Sequence, residues 1–273
     1  MMEKLAPAIT LITDFGLQDG LVGAMKGVIH SIAPQARVMN ISHHVPPQDI
    51  RWAGFVLLTS YKFWPPETIH VIVIDPGVGT GRRAIAVQTT RGTFVAPDNG
   101  VLSYVLAREQ ATAVVSLTNS AYWHQPVSPV FHGRDIFGPA AAHLASGVPL
   151  LNLGEAIGVE TLHALAVSEP NRHFDGHITA HIQHIDRFGN CITDLPEFWL
   201  YESPQWRIDV KGCIIEGMRQ TFAEVAEGEP VALIDSSGFM AVAVRNGSAA
   251  QEIGLSIHDP VVLWPISRPV TPI

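Results

Sequence analysis

Residues 69–75 read Ile-His-Val-Ile-Val-Ile-Asp, a nearly unbroken apolar run of strand length between Pro65-Pro66 and Pro76-Gly77. Such a run suits a central strand covered on both faces, and a strand of that kind needs helices packed on each side of its sheet. The neighbouring segments supply them. "AITLITDF" (8–15) and "RVMNIS" (37–42) have strand composition. "GLVGAMKGVIHSIAP" (20–34) places Leu21, Met25, Val28, Ile29 and Ile32 at helical spacing. "DIRWAGFVLLTSYKFW" (49–64) starts with Asp49 as an N-cap and stops at Pro65. "AIAVQTT" and "TFVAPD" form a hairpin around Arg91-Gly92, and "GVLSYVLARE" and "DIFGPAAAHLASG" are further helices. The alternation predicts an α/β N-terminal domain, residues 1–168, with a central, largely parallel sheet.

The pattern changes after residue 168. "SEPNRHFDG" is a polar connector, and "HITAHIQHID", "WRIDVKG", "CIIEGM", "PVALIDSSG", "MAVAVRNG" and "PVVLWPI" are short strands between turn residues. Only "SAAQEIG" suggests a helix. Residues 169–273 are therefore expected to form an all-β, barrel-like domain. A chain of 273 residues suits two unequal domains.

With 47% hydrophobic and 15% charged residues the chain is globular, and a formal charge of −8 lacks the basic footprint of a nucleic-acid binder. Cys191 and Cys213 have no CxxC partner, which argues against a cysteine-based zinc site. No stretch reaches the roughly 18 apolar residues of a membrane span, and the first residues lack an apolar signal core. A cytoplasmic protein with a small-molecule substrate is expected.

Three polar clusters fall where strands of the α/β half should end. "TDFGLQDG" carries Asp14 and Asp19, "IDPGVGTGRR" carries Asp75, Arg82 and Arg83, and "FHGRDIFGP" carries His132, Arg134 and Asp135. Ligands of open α/β sheets bind beyond the carboxyl ends of the strands, so the three loops could share one crevice; as caps or turns, Asp19 and Asp135 are equally well explained. "GVGTG" has neither the lysine of a P-loop nor the spacing and following helix of a dinucleotide motif. A carboxylate placed straight after "VIVI" requires a partner, and Arg82 or Arg83 is near enough to make either a structural ion pair or a catalytic pair. The 13 histidines form no HExxH; on a strand His177 and His181 share a face while His184 points away, so no metal site is expected. There is no GxSxG elbow. In the β half, Phe188-Gly189-Asn190 of "DRFGNCITD" is either a Gly-Asn hairpin turn or a site where an aromatic face and an amide meet a planar, polar ligand. "DSSGFMAVAVRNGSAA" offers a second loop rich in backbone donors.

Taken in order, "LITDFGLQDGLVGAMKGVI", "NISHHVPPQDI", "IHVIVIDPGVGTGRRAIAV", "APDNGVLSYVL", "FHGRDIFGPAAAHLASGVP", "IDRFGNCITD" and "NGSAA" resemble the S-adenosyl-L-methionine hydroxide adenosyltransferase family, hydrolytic relatives of the fluorinating and chlorinating enzymes. The resemblance spans nearly the whole chain. It implies an α/β domain joined to a C-terminal β-barrel and a homotrimer with sites between subunits. It implies hydrolysis of S-adenosyl-L-methionine, as substrate rather than cofactor, to adenosine and L-methionine. By motif, the family's Asp, Arg and His fall on Asp75, Arg82 and His132. Asp14 would hold the ribose hydroxyls, Asn190 and Phe188 would meet the ligand from the neighbouring subunit, and Ser237 and Ala249 would line its methionine or adenine ends. The halogenating branch carries Tyr at the position of Asp75 and an insertion before "APDNG"; here only Ala84 to Val95 intervene. A binding module without turnover and a nucleotide phosphohydrolase are the alternatives from other classes.

Overall fold

The computed structural model describes residues 7–203 and 205–266. The chain divides between Val167 and Ser168 into two compact units. The first runs β1 (Ala8–Thr13), α1 (Leu21–Ile32), β2 (Arg37–Ser42), α2 (Ile50–Ser60), β3 (Ile69–Val73), β4 (Ala84–Thr89), β5 (Gly92–Pro97), α3 (Ser103–Leu106), β6 (Ala111–Ser116), α4 (Gly138–Ala145) and β7 (Glu155–Ala156). Its sheet has the order β2-β1-β3-β5-β4-β6-β7. Every residue of β3 is buried, as its composition requires, and β1 is buried but for its first residue. Ile9, Leu11, Val71 and Val73 pack in one core with Met25, Ile29 and Phe137.

The sheet is mixed. It is parallel from β2 through β1 and β3 to β5, then antiparallel across β4, β6 and β7. The reason is the β4–β5 hairpin itself. Its tight turn at Thr90-Arg91 forces β4 to run against β5, and β5 rather than β4 docks on β3. The parallel half carries the consequence for function. Thr13 pairs with Val73, so β1 and β3 end at the same level, and Asp14 and Asp75 emerge side by side at the carboxyl edge of the sheet.

All the strand pairs of the second unit are antiparallel, and only the isolated Arg219–Leu233 bridge is parallel among the described residues. It comprises β8 (Asn171–Arg172), β9 (Ile178–Ile185), β10 (Cys191–Pro196), β11 (Trp206–Val210), β12 (Cys213–Glu216), β13 (Pro230–Ile234), β14 (Phe239–Val244), the single turn α5 (Ala249–Glu252) and β15 (Pro260–Pro265). The strand order is β12-β11-β15-β9-β10-β14-β13, with β8 on β9. The two ends of the sheet approach each other where Arg219 bridges Leu233 and its N–H donates to the Ala232 carbonyl at 2.8 Å. The sheet is thus a nearly closed barrel around Ile178, Ala180, Ile182, Ile208, Val242 and Leu263. Alternate burial along β9 places His184 on the buried face and His181 on the other, as period two requires.

Candidate active site

The two arginines of "GRR" have different partners. Arg82 donates from Nε to both Asp75 oxygens, at 2.9 and 3.1 Å, and its terminal nitrogen makes a further short contact to Oδ2. Arg83 donates instead to Asp98 at 2.8 and 2.6 Å and reaches Thr161. The Asp75 loop is built locally. Val78 N–H donates to the Asp75 carbonyl, Thr80 Oγ1 to the Gly77 carbonyl, and the Asn99 amide holds the Ile74 carbonyl at 2.8 Å. The side chains of Asp75 and Arg82 are only 6% and 10% exposed. Arg82 also lies 5.1 Å over the Phe137 ring.

The same Arg82 terminal nitrogen lies 2.8 Å from Nδ1 of His132. A guanidinium has no lone pair to accept with, so Nδ1 is the acceptor. His132 is then the neutral tautomer with its proton on Nε2. Burial, and next the Arg82 charge, push the imidazole below its ordinary range against the opposing pull of Asp75 and Asp135. The three residues form one hydrogen-bonded line, carboxylate to guanidinium to imidazole.

Two sequence features bring His132 there. Pro139, in the first turn of α4, cannot donate to the carbonyl of Asp135 four residues earlier and crowds it. The turn Gly133–Phe137 widens to a π-helix, and the released Asp135 carbonyl accepts from His124 N–H at 2.9 Å. The wholly buried Asp135 carboxylate accepts from Ser128 N–H at 2.8 Å and from Arg134 at 2.6 and 2.9 Å. Burial pushes Asp135 up, but the Arg134 and Ser128 hydrogen bonds outweigh it and hold the carboxyl below its usual range. Asp135 is therefore the brace of the 124–135 loop. The second feature is Gly79. It has φ +76°, and a Cβ there would stand 2.5 Å from the Pro129 carbonyl oxygen. Only glycine lets the two loops approach closely enough for Arg82 to meet His132.

A cavity of about 150 Å³ opens at this point, lined by Asp14, Phe15, Gln48, Asp75, Phe131 and His132 among others. Phe15 and Phe131 meet edge to face at 5.8 Å to make one wall. Asp14 accepts from the backbone N–H of Gln48 at 2.8 Å, and the turn bearing Asp14 is fastened to the end of β2 by Gly16 N–H on the His43 carbonyl. Asp19 is exposed and does not line the cavity. Among the described residues, no group of three or more His, Cys, Asp or Glu side chains is placed to hold a metal ion.

In the barrel, Phe188 is 77% exposed at the β9–β10 turn. Asn190 closes that turn by donating to Asp186 at 2.7 Å, while Asp186 accepts the Phe188 and Asn190 N–H groups at 2.9 Å. Gly189, at φ +85°, lies so close to Ser248 that a Cβ would stand 2.0 Å from its Oγ. Ala250 N–H donates to the Gly189 carbonyl, so Ala249 and the start of α5 share this end of the barrel with Asn190. Ser237 does not. It lies in the β13–β14 turn, hydrogen bonded to Asp235, at the other end of the six-residue strand β14, about 17 Å along at roughly 3.4 Å per residue. The residues that sequence reasoning missed are Gln48, Phe15 and Phe131, and Asp135, expected either in the crevice or as a cap, is the brace of its loop. "TDFG", "VPPQD" and "FHGRD" contained them without showing which side chain faces a cavity.

The sequence matches two family models: the N-terminal domain of the S-adenosyl-L-methionine hydroxide adenosyltransferases over residues 9–154 and their C-terminal domain over residues 180–262. A protein of Salinispora tropica named (R)-S-adenosyl-L-methionine hydrolase is 40% identical over 255 residues, covering 93% of this chain and 96% of its own. A fluorinase of an Actinoplanes species is 25% identical, covering 89% and 92%. The crystal structure of an uncharacterised conserved protein from Thermotoga maritima superposes with a TM-score of 0.87 at 33% identity, covering 93% of this chain and 99% of that one. The α/β unit and the antiparallel barrel coincide with these two matches in chain order, and the chain belongs to the S-adenosyl-L-methionine hydroxide adenosyltransferase family.

Proposed function

We propose that the chain hydrolyses S-adenosyl-L-methionine at C5′ to adenosine and L-methionine, with Asp75, Arg82 and His132 as the catalytic residues. The observation that carries this reading is the hydrogen-bonded line of the three side chains, whose two ends, Asp75 and His132, line the cavity. Sulfonium chemistry needs no leaving-group acid, because methionine departs as a neutral thioether. The difficulty is water, whose pKa is about 15.7 when free. Arg82 occupies Nδ1 of His132, which leaves Nε2–H as a donor to hold the water oxygen. Asp75 retains lone pairs beyond those that Arg82 engages, and it is the acceptor for the water proton. As the water oxygen bonds to C5′, the C5′–S pair leaves with sulfur and the proton passes to Asp75 and then to solvent. The carboxylates of Asp14 and Asp75 also favour the cationic substrate. Asp14 holds the ribose hydroxyls.

Incubation of the protein with S-adenosyl-L-methionine, followed by chromatography, should show adenosine and methionine in equal amounts. Formation should survive EDTA and be indifferent to chloride and fluoride. Activity that is lost on chelation and restored by a divalent ion would overturn the metal-free mechanism, a halogenated nucleoside would favour the halogenase reading, and no turnover would leave a binding module. The tight β4–β5 hairpin and the carboxylate at position 75 favour water as nucleophile.

The site is completed by a neighbouring subunit in a homotrimer. A 150 Å³ cavity is about half the lower limit of ordinary ligand pockets, so a substrate with adenine, ribose and methionine needs further walls. Exposed Phe188, with Asn190 beside it, suits an adenine ring, and Ser237 at the far end of β14 suits the methionine arm; Ala249, expected to line the ligand, is wholly buried in the barrel core and backs this turn instead. Sedimentation should give a trimer at micromolar concentration, and a fully active monomer would contradict this assembly. Among the described residues no helix is long and apolar enough to cross a membrane, and a cytoplasmic location with no nucleic-acid partner fits a substrate of this kind.

A further inference from the structure

Gln48 lines the cavity with Asp14, Asp75 and His132, yet its backbone sits at φ +65°, a region that a side chain with a Cβ disfavours. Glycine or asparagine would meet this demand more easily. The backbone around it is fixed from several directions. Its N–H donates to Asp14 Oδ2 at 2.8 Å, and its carbonyl accepts from Ile50 N–H at 3.1 Å. The next residue, Asp49, caps α2 by accepting from Trp52 N–H at 2.9 Å. Neither the cap nor the bond to Asp14 uses the Gln48 carboxamide. Local structure would be served at least as well by glycine, so a role for this side chain has to be sought in the cavity it borders.

We propose that the Gln48 carboxamide and the Asp14 carboxylate together form a clamp for the two ribose hydroxyls, with Gln48 as a substrate-binding residue. The inference rests on the proposed adenosine-forming reaction and deepens its ribose subsite. A vicinal diol presents two O–H donors and lone pairs on both oxygens. A carboxylate accepts but cannot donate, so Asp14 satisfies only half of that pattern. The bond from Gln48 N–H orients Asp14 and brings the two residues together. From that position the carboxamide NH₂ donates to a hydroxyl oxygen whose proton Asp14 accepts. The left-handed backbone at Gln48 sets the direction from which the side chain enters.

The test is calorimetric binding of adenosine and of 2′,3′-dideoxyadenosine to the wild-type protein and to Gln48→Gly and Gln48→Ala. Gln48→Gly keeps the backbone N–H and relieves the dihedral, so it isolates the carboxamide. Adenosine should bind about tenfold more weakly to both variants, the scale of one lost hydrogen bond, while the dideoxynucleoside binds equally to all three proteins. KM for S-adenosyl-L-methionine should rise by a similar factor, and the melting temperature of Gln48→Gly should not fall. Unchanged adenosine affinity, or an equal loss for both nucleosides, would overturn the clamp. Wild-type protein that binds adenosine but makes none from S-adenosyl-L-methionine would instead overturn the proposed reaction and leave the hydroxyl comparison readable.

Discussion

Asp75→Asn is expected to lower turnover of S-adenosyl-L-methionine by about 10² or more, the scale of one positioned acid–base or electrostatic group. The melting temperature should hold. Asp75 lines a cavity, and after the substitution Arg82 keeps two hydrogen-bond acceptors, the amide oxygen of the new side chain and His132 Nδ1. Arg82 loses its counter-charge but keeps hydrogen-bond acceptors, and the cavity beside position 75 is wide enough to admit water, so the cost should stay below that of a fully desolvated, unpaired charge. Adenosine should bind within a few-fold of wild type, because its ribose contacts come from Asp14 and Gln48 rather than from Asp75. Turnover, melting and adenosine affinity measured on one preparation separate the two roles. A variant that melts early and turns over normally would make the 75–83 stretch a salt-bridged turn and nothing more.

Arg82→Lys should be nearly as severe, at about 10² in turnover, although it preserves the charge. One guanidinium edge serves Asp75 while the terminal nitrogen also serves Nδ1 of His132. An ammonium is a point donor on a flexible stem and cannot reproduce that planar fork. With Nδ1 no longer engaged, His132 is free to exchange tautomers, and the Nε2–H that holds water is no longer specified. Asp75 keeps a cationic neighbour, so stability should change little. Arg82→Ala offers a second readout: added guanidinium should restore part of its activity. A Lys variant with wild-type turnover would show that charge alone suffices at this position.

The sequence made the Asp75 end of the site legible because strand, carboxylate and arginine all lie between Ile69 and Arg82. It could not choose between Arg82 and Arg83, which are both in reach; Asp98, fifteen residues beyond Arg83, decides by taking one of them. His132 was legible only as part of a motif. Its place depends on β1 and β3 ending in register and on Gly79 admitting the Pro129 carbonyl. The helix expected over "GVLSYVLARE" is helical only at Ser103–Leu106, since Gly100 at φ +92° turns the chain just before it. The largely parallel sheet is parallel only through β5, because a two-strand hairpin can insert either of its strands beside β3 and periodicity does not say which. In the barrel, the turns at Phe188 and Ser237 look alike as sequence, and only strand pairing shows that they lie at opposite ends of β14.

The central claim is that water attacks C5′ of the sulfonium. Reaction in water enriched with ¹⁸O, with mass analysis of both products, tests it most directly. Adenosine carrying one heavy oxygen at its 5′-hydroxyl, together with unlabelled methionine, is the predicted result. Unlabelled adenosine, or cleavage that leaves sulfur on the nucleoside, would contradict it.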